Sequence, residues 1–252
     1  MTAVIPPIVR DPFPPGRSEP CFCGNGLRFK RCCGQLGMFP GRPVPFGIGI
    51  VEHFVSNEDC DALCEHAAEC SANWLEVVDV EKSTAEQVVR RMDDRRVTER
   101  VNMGEHQVQL DRWMRAALEQ VIEPAVQRTF EWYEQPQLLK YSKGGLYQGH
   151  ADSDNYNPDR DVWQKELDRD ISLLIYLSDD YEGGSLYFQH FDYTLQPRKG
   201  MLVYFPSDVR YKHEAQPVTA GLRYAVVSWA AFRDEPRVQA QSPHHSIFMQ
   251  PS

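Results

Sequence analysis

Residues 171–178 read ISLLIYLS. The run is short, apolar and strand-like, and Asp179, Asp180, Gly183 and Gly184 stop it. As a strand it puts Ile171, Leu173, Ile175 and Leu177 on one face and Ser172, Leu174 and Tyr176 on the other. Four more runs of this kind surround it: QLLKYS (137–142), SLYFQHF (185–191), MLVYF (201–205) and LRYAVVSWAAF (222–232). Before residue 136 the apolar period is helical. A helix is expected over about 56–70, opened by Ser56 and Asp59 as N-cap and capping-box partner. A strand follows in WLEVVDV (74–80). A long helix is expected over about 106–133, with Leu110, Trp113, Met114, Ala117, Leu118, Val121 and Ile122 at helical spacing and a kink or break at Pro124. Residues 81–105, including RRMDDRR (90–96), read as a solvated loop, and the tail from 234 carries no periodic signal and reads as partly disordered. Helices first and strands later predict an α+β fold, with helices packed on an antiparallel sheet or barrel.

The chain has 252 residues, 42% of them apolar, and a net charge of −9. That is enough material for one large domain with a small appendage. No stretch approaches a membrane span. Pro6, Pro7 and Asp11 interrupt the place where a secretory signal would need an apolar core, so a cytoplasmic protein is expected. The acidic balance argues against general nucleic-acid binding. The charge is divided, however. Residues 1–45 hold six basic side chains against two acidic ones, a balance of +4 that leaves −13 for the rest, together with nine of the 18 prolines and four of the seven cysteines.

Those four are Cys21, Cys23, Cys32 and Cys33, in GRSEPCFCGNGLRFKRCCGQLG (16–37). Two close pairs across a short loop can surround one tetrahedral ion. Two disulfides or four free thiols are the alternatives, though adjacent cysteines rarely bridge each other. A segment this short has little core, so a metal would supply most of its folding free energy. The segment closely resembles the SEC-C motif, the zinc-binding tail of the SecA translocation ATPase: Cys21, Cys23, Gly24, Asn25, Gly26, Phe29, Lys30, Cys32, Cys33 and Gly34 all match. The resemblance implies structural zinc and a docking role. Cys60, Cys64 and Cys70 fall within the first helix; burial as small hydrophobes is favoured there over a second metal with His66.

The chemistry centres on GHADSDNY (149–156). His150 and Asp152, two apart, face the same side of a strand and can reach one ion. His213 follows MLVYF, and Arg223 opens a strand whose one face carries Arg223, Ala225, Val227 and Trp229. Two histidines and a carboxylate make the facial triad of non-haem Fe(II) oxygenases. Three open iron positions accept a chelating 2-oxo acid and dioxygen. Arg223 can hold the far carboxylate of 2-oxoglutarate as a planar fork, with the Tyr176 hydroxyl aimed at the same group. The carboxylate at Asp152 argues against a halogenase, which needs that position for chloride. Asp154 reads as a loop residue rather than a fourth ligand, and His53, His66, His106, His190, His244 and His245 as ordinary histidines.

Tyr141 with x(8)-H-x-D, IYLSDDYEGGSLYF, P-x-x-G-x-L-V-Y-F, HEAQPV and GLRYAVVSW together resemble the prolyl 4-hydroxylase-type 2-oxoglutarate/Fe(II) dioxygenases. SDVRYKHEAQPVTAGLRYAVVSWAAF (207–232) is especially similar to the hypoxia-inducible-factor type of prolyl hydroxylase and its bacterial relatives. The resemblance implies a double-stranded β-helix core. It implies Fe(II) on His150, Asp152 and His213, 2-oxoglutarate on Arg223 with Tyr176 and Tyr141, Trp229 on the substrate side, O2 as cosubstrate and ascorbate as candidate reductant. The expected organisation is a zinc-binding motif (1–36), a linker (37–46), a helical support region with a substrate-covering loop (47–135), the dioxygenase core (136–233) and a tail (234–252). The long polar segment 153–169 departs from the better-known members and points to a different substrate entry. The expected activity is hydroxylation of a protein or peptide side chain, prolyl first, with the zinc motif docking the target and release of succinate and CO2. A small-molecule 2-oxoglutarate hydroxylase with a purely structural zinc motif, and a binding module with a vestigial iron site, are the competing readings.

Overall fold

The computed structural model describes residues 6–11, 13–24, 26–34, 44–78 and 90–250. Strand Ile171–Tyr176 pairs antiparallel with Leu202–Pro206 on one side and Arg223–Phe232 on the other. Gly49–Val51 flanks Leu202–Pro206, while Gln137–Tyr141, Glu99–Val101 and Ala72–Trp74 follow beyond Arg223–Phe232. A smaller sheet runs Tyr193–Leu195, Leu186–Phe188, His213–Ala215, Leu146–His150, Arg96–Val97. The two antiparallel sheets enclose one core and form a double-stranded β-helix.

Strand parity decides which side chains reach that core. Ile171, Leu173 and Ile175 pack with Leu63, Leu110, Met114 and Leu118 beneath the helices. Leu174 and Tyr176 face the other way and pack with Leu186, Phe188 and Val203 between the sheets. The return turn before Leu202–Pro206 depends on Gly200, at φ +76°, where a Cβ would be driven into the Val55 carbonyl.

Helix Asn57–Glu69 starts as expected. The Ser56 hydroxyl accepts the Asp59 amide at 3.1 Å and donates to the Asp59 carboxylate at 2.8 Å. Cys60, Leu63 and Ala67 form its buried stripe. Burial pushes the Cys60 and Cys64 thiols up to about 11 and about 12, so they are neutral core groups. Among the described residues they join no metal-binding cluster. Truncating Leu63 to Ala is expected to cost about 2–5 kcal/mol, a lost side chain plus a cavity, seen as a lower denaturation midpoint.

Several local expectations are corrected. The second helix is shorter than 106–133: Gln107–Ala116 runs into a wide π turn, Ala117–Ile122, and ends with Glu123–Val126. Pro124 cannot donate the amide bond that a regular helix needs there, and the wide turn absorbs the defect. Gln127 then turns left-handed at φ +55°, and Phe130–Glu134 is a strand. Residues 96–101 are not a solvated loop. Arg96–Val97 pairs with Leu146 and Tyr147 in the small sheet, and Glu99–Val101 pairs in the large one. Thr98 and Val101 are buried, two small uncharged side chains that the surrounding charge concealed. Residues 81–89 of the expected covering loop, 79–80 of the expected strand and 37–43 of the expected linker lie outside the described residues. In the tail, Ser246–Phe248 pairs with Phe130–Glu134 and Met249 is buried, so this segment is ordered by the sheet it joins. The polar segment after Asp152 forms the hairpin Asp154–Asn157 and Val162–Lys165, to which Ile8–Val9 adds a third strand.

Candidate active site

His150 and His213 are register partners on neighbouring strands of the small sheet, so two residues far apart in sequence sit side by side. Their Nδ1 atoms lie 2.9 Å from the Gln148 carbonyl and 3.0 Å from the Tyr211 carbonyl. A carbonyl only accepts, so each Nδ1 carries the hydrogen and each Nε2 presents a lone pair. Those Nε2 atoms lie 3.4 Å and 3.6 Å from the two oxygens of Asp152. One ligand atom from each of the three residues lies within 4.8 Å of the others. Burial, then the charge of His150, pushes His213 down to about 4, so it is a neutral imidazole at pH 7. Burial opposes ionisation of Asp152, but the neighbouring His213, His150 and Arg169 outweigh it and hold its carboxyl below the usual range. Neutral imidazole and ionised carboxylate are the forms that bind a divalent cation. The donor set of two nitrogens and one carboxylate fits Fe(II) with open positions.

Ser172 ties this cluster to the large sheet. Its hydroxyl donates to Asp152 at 2.6 Å and meets the Ser207 hydroxyl at 2.8 Å. The Tyr147 ring stacks on His150 at 3.6 Å. Arg169 donates to the Asp152 carbonyl at 3.3 Å, and its guanidinium lies 3.8 Å over the Trp229 ring. Sequence reasoning passed over Ser172, Tyr147 and Arg169. The signal for Ser172 was its polarity on the inward face of an otherwise apolar strand. Removing its hydroxyl in Ser172→Ala is expected to weaken metal binding at the triad by about 10- to 100-fold, as losses of ligand-orienting hydrogen bonds do, measured by Co(II) titration. Asp154 is not part of the cluster. It is buried, paired with Arg10 at 2.9 Å, and accepts the Val209 amide at 2.9 Å.

A narrow cleft of about 40 Å³ runs inward from the triad to Arg223, with Tyr141, Ser172 and Trp229 in its walls. Arg223 is 1% exposed. Its guanidinium lies 4.1 Å from the Tyr141 ring centre and 5.7 Å from that of Tyr176, and Nη1 donates to the Gly184 carbonyl at 2.8 Å. Among the described residues no carboxylate pairs with it, and its Nε and the Tyr176 and Tyr181 hydroxyls are buried without partners. Burial raises both tyrosines, Tyr181 to about 12, so both remain donors at neutral pH. Buried charge and orphaned donors are costly unless an anion satisfies them, which fits a carboxylate ligand. Tyr181 is a further donor that the sequence did not single out. A wider cleft of about 430 Å³ opens outward from His150 and Asp152 past Tyr147, Arg96 and Arg169.

The four N-terminal cysteines also converge, all ligand atoms within 4.8 Å. Cys23 and Cys32 sulfurs are 3.4 Å apart and Cys32 and Cys33 3.8 Å, too far for disulfides; none of the seven cysteines forms a disulfide. A tetrahedron with Zn–S bonds of about 2.3 Å has an edge of about 3.8 Å. Despite burial, the amides of Cys23 and Cys33 lower Cys21 to about 7, whereas burial and its thiol neighbours raise Cys33. Four such sulfurs ionise together only around a cation, so the donor set fits zinc.

Residues 136–231 match the family model of the 2OG-Fe(II) oxygenase superfamily. Human prolyl 3-hydroxylase 3 is 36% identical over 99 residues, 36% of this chain and 14% of that protein. The chain thus spans only a small part of the curated relatives it matches first. Protein translocase subunit SecA of Syntrophotalea carbinolica is 59% identical over 29 residues, 12% of this chain and 3% of that one. Among solved structures, the viral collagen prolyl hydroxylase of Paramecium Bursaria Chlorella virus-1 superposes with a TM-score of 0.51 at 20% identity, over 73% of this chain and 96% of that chain. At that identity the likeness speaks for the fold. Residues 136–231 thus carry the likeness to the 2OG-Fe(II) oxygenase superfamily, and the solved structure shares the fold.

Proposed function

We propose that the protein hydroxylates a protein or peptide side chain, prolyl first, at the expense of 2-oxoglutarate and O2, releasing succinate and CO2. One observation carries this reading: a cleft with a metal-ready His150–Asp152–His213 cluster at its mouth and, at its floor, a buried Arg223 that meets no carboxylate among the described residues. Iron, when bound, supplies the oxidative chemistry that joins 2-oxoglutarate decarboxylation to insertion of one oxygen atom into a C–H bond. The side chains do the rest. The two Nε2 atoms and the Asp152 carboxylate hold the ion, and Ser172 keeps that carboxylate aimed. Arg223, Tyr176 and Tyr141 hold the distal carboxylate of 2-oxoglutarate, while the apolar cleft excludes water. Trp229, packed under Arg169, walls the substrate side. A prolyl target is supported by the named activity of the matched prolyl 3-hydroxylase, and a macromolecular one by the wide outer cleft. Zinc on Cys21, Cys23, Cys32 and Cys33 completes the reading, supported by the sulfur geometry and the SecA match.

The test is incubation of the Fe(II)-loaded protein with 2-oxoglutarate and cell lysate, followed by peptide mass spectrometry. The expected result is a gain of one oxygen on proline in a small set of proteins, matched by succinate. Succinate formation driven only by free amino acids, with no oxidised peptide, would instead establish a small-molecule hydroxylase. No helix among the described residues is long and apolar enough to cross a membrane.

A further inference from the structure

The four-cysteine head is packed against two short turns at one end of the small sheet, one leading into the strand that bears His213 and the other leaving its neighbour Leu186–Phe188. Phe22, between Cys21 and Cys23, has its ring centre 6.2 Å from that of Phe191, which lies 5.3 Å from Tyr211. Phe13 closes the cluster at 5.1 Å from Phe22 and 6.2 Å from Phe191. Phe191 ends the turn Gln189–Phe191, and Tyr211 ends the turn Val209–Tyr211. The two turns are joined where the Gln189 amide donates to the Lys212 carbonyl at 3.1 Å.

Tyr211 links head and site. It is 2% exposed, and its hydroxyl donates to the Phe46 carbonyl at 2.8 Å. Its own carbonyl accepts from His213 Nδ1 at 3.0 Å, the bond that sets the tautomer and aims Nε2 at Asp152. A second tie comes from upstream of the cysteines. Arg10 forks onto Asp154, whose Oδ2 also accepts the Val209 amide at 2.9 Å. The head therefore reaches, through the Phe191 and Tyr211 rings, the residue whose carbonyl orients a candidate iron ligand, and it has too little core of its own to hold those rings in place unless its cysteines are gathered.

We propose that the four-cysteine head buttresses the His150–Asp152–His213 site, with Phe22, Phe191 and Tyr211 as positioning residues, so that metal bound by the thiolates strengthens metal binding at the triad. The proposal rests on the two metal sites of the functional reading. By linkage the effect is reciprocal. It assigns the head a role inside the catalytic body rather than as a tethered adaptor.

The test uses full-length, zinc-loaded protein, with Co(II) as the absorbance probe of the triad. Phe22→Ala and Phe191→Ala keep all four cysteines and all three triad residues. Their zinc content should stay at the wild-type value while the Co(II) Kd rises by about 5- to 150-fold, the usual span of coupling between sites. Phe191→Tyr, which keeps the ring, should restore tight Co(II) binding. Leu63→Ala, destabilised on the opposite face of the large sheet, should lower the melting temperature and leave the Co(II) Kd unchanged, separating positioning from general stability. Should the alanine variants fail to fold, Phe22→Leu and Phe191→Leu carry the same comparison. An unchanged Co(II) Kd in the Phe22 and Phe191 variants would overturn the proposal while leaving the iron-site reading intact. Absence of Co(II) binding in the wild type would overturn the iron-site reading, and the proposal with it.

Discussion

Asp152→Ala is expected to form no succinate above the level of the metal-free protein. Among the described residues Asp152 supplies the one carboxylate of the His150–His213 cluster, and its two oxygens stand 3.4 Å and 3.6 Å from their Nε2 atoms. Losing an outer hydrogen bond to a metal ligand typically costs about 10- to 100-fold, so losing a ligand should exceed about 100-fold. The variant should still fold, because the bond from the residue 152 amide to the Ser207 carbonyl and the contact between the Ser172 and Ser207 hydroxyls do not need the carboxylate. Succinate assays, with circular dichroism to establish the fold, check this. Succinate formation at the wild-type rate would remove Asp152 from the catalytic assignment.

Arg223→Lys is expected to weaken 2-oxoglutarate binding by roughly 30-fold to several thousand-fold, the equivalent of about 2–5 kcal/mol for truncating one partner of a buried charge pair. A lysine keeps the charge but not the planar fork that meets a carboxylate with two parallel bonds. It also loses contact with the Tyr141 and Tyr176 rings and cannot reproduce the Nη1 bond to Gly184. Isothermal titration with 2-oxoglutarate on the Co(II) form checks it, and Co(II) affinity without 2-oxoglutarate should stay within a few-fold of wild type. If both affinities fell together, Arg223 would be supporting the fold rather than recognising a ligand.

Much of the site could be named from local pattern. His150 and Asp152 stand out because strand period two puts them on one face, and the same parity orders Arg223, Ala225, Val227 and Trp229. Cys21, Cys23, Cys32 and Cys33 stand out because four thiols in so short a segment have few other uses. What escaped reading depends on partners distant in sequence. Ser172 looks like any small polar residue until Asp152 is placed 2.6 Å away. Arg96, Glu99 and Arg100 disguised two strands because charge is a poor guide at a sheet edge or one strand in from it, where half-buried charged side chains still reach water. The tail lacked a period because Ser246–Phe248 borrows its order from Phe130–Glu134.

By itself the sequence determined the alternation that makes Ile171–Tyr176 two-faced, the capped start of Asn57–Glu69 and the inventory of ligand types in each cluster. These are properties of a few neighbouring residues and their covalent geometry. The tertiary structure alone decided that His150 lies opposite His213, that Arg223 lies opposite Tyr141, and that Phe22 meets Phe191 beside Tyr211. Sheet register and sheet-on-sheet packing set those distances, because both arise from the burial of many side chains at once rather than from any one stretch of chain.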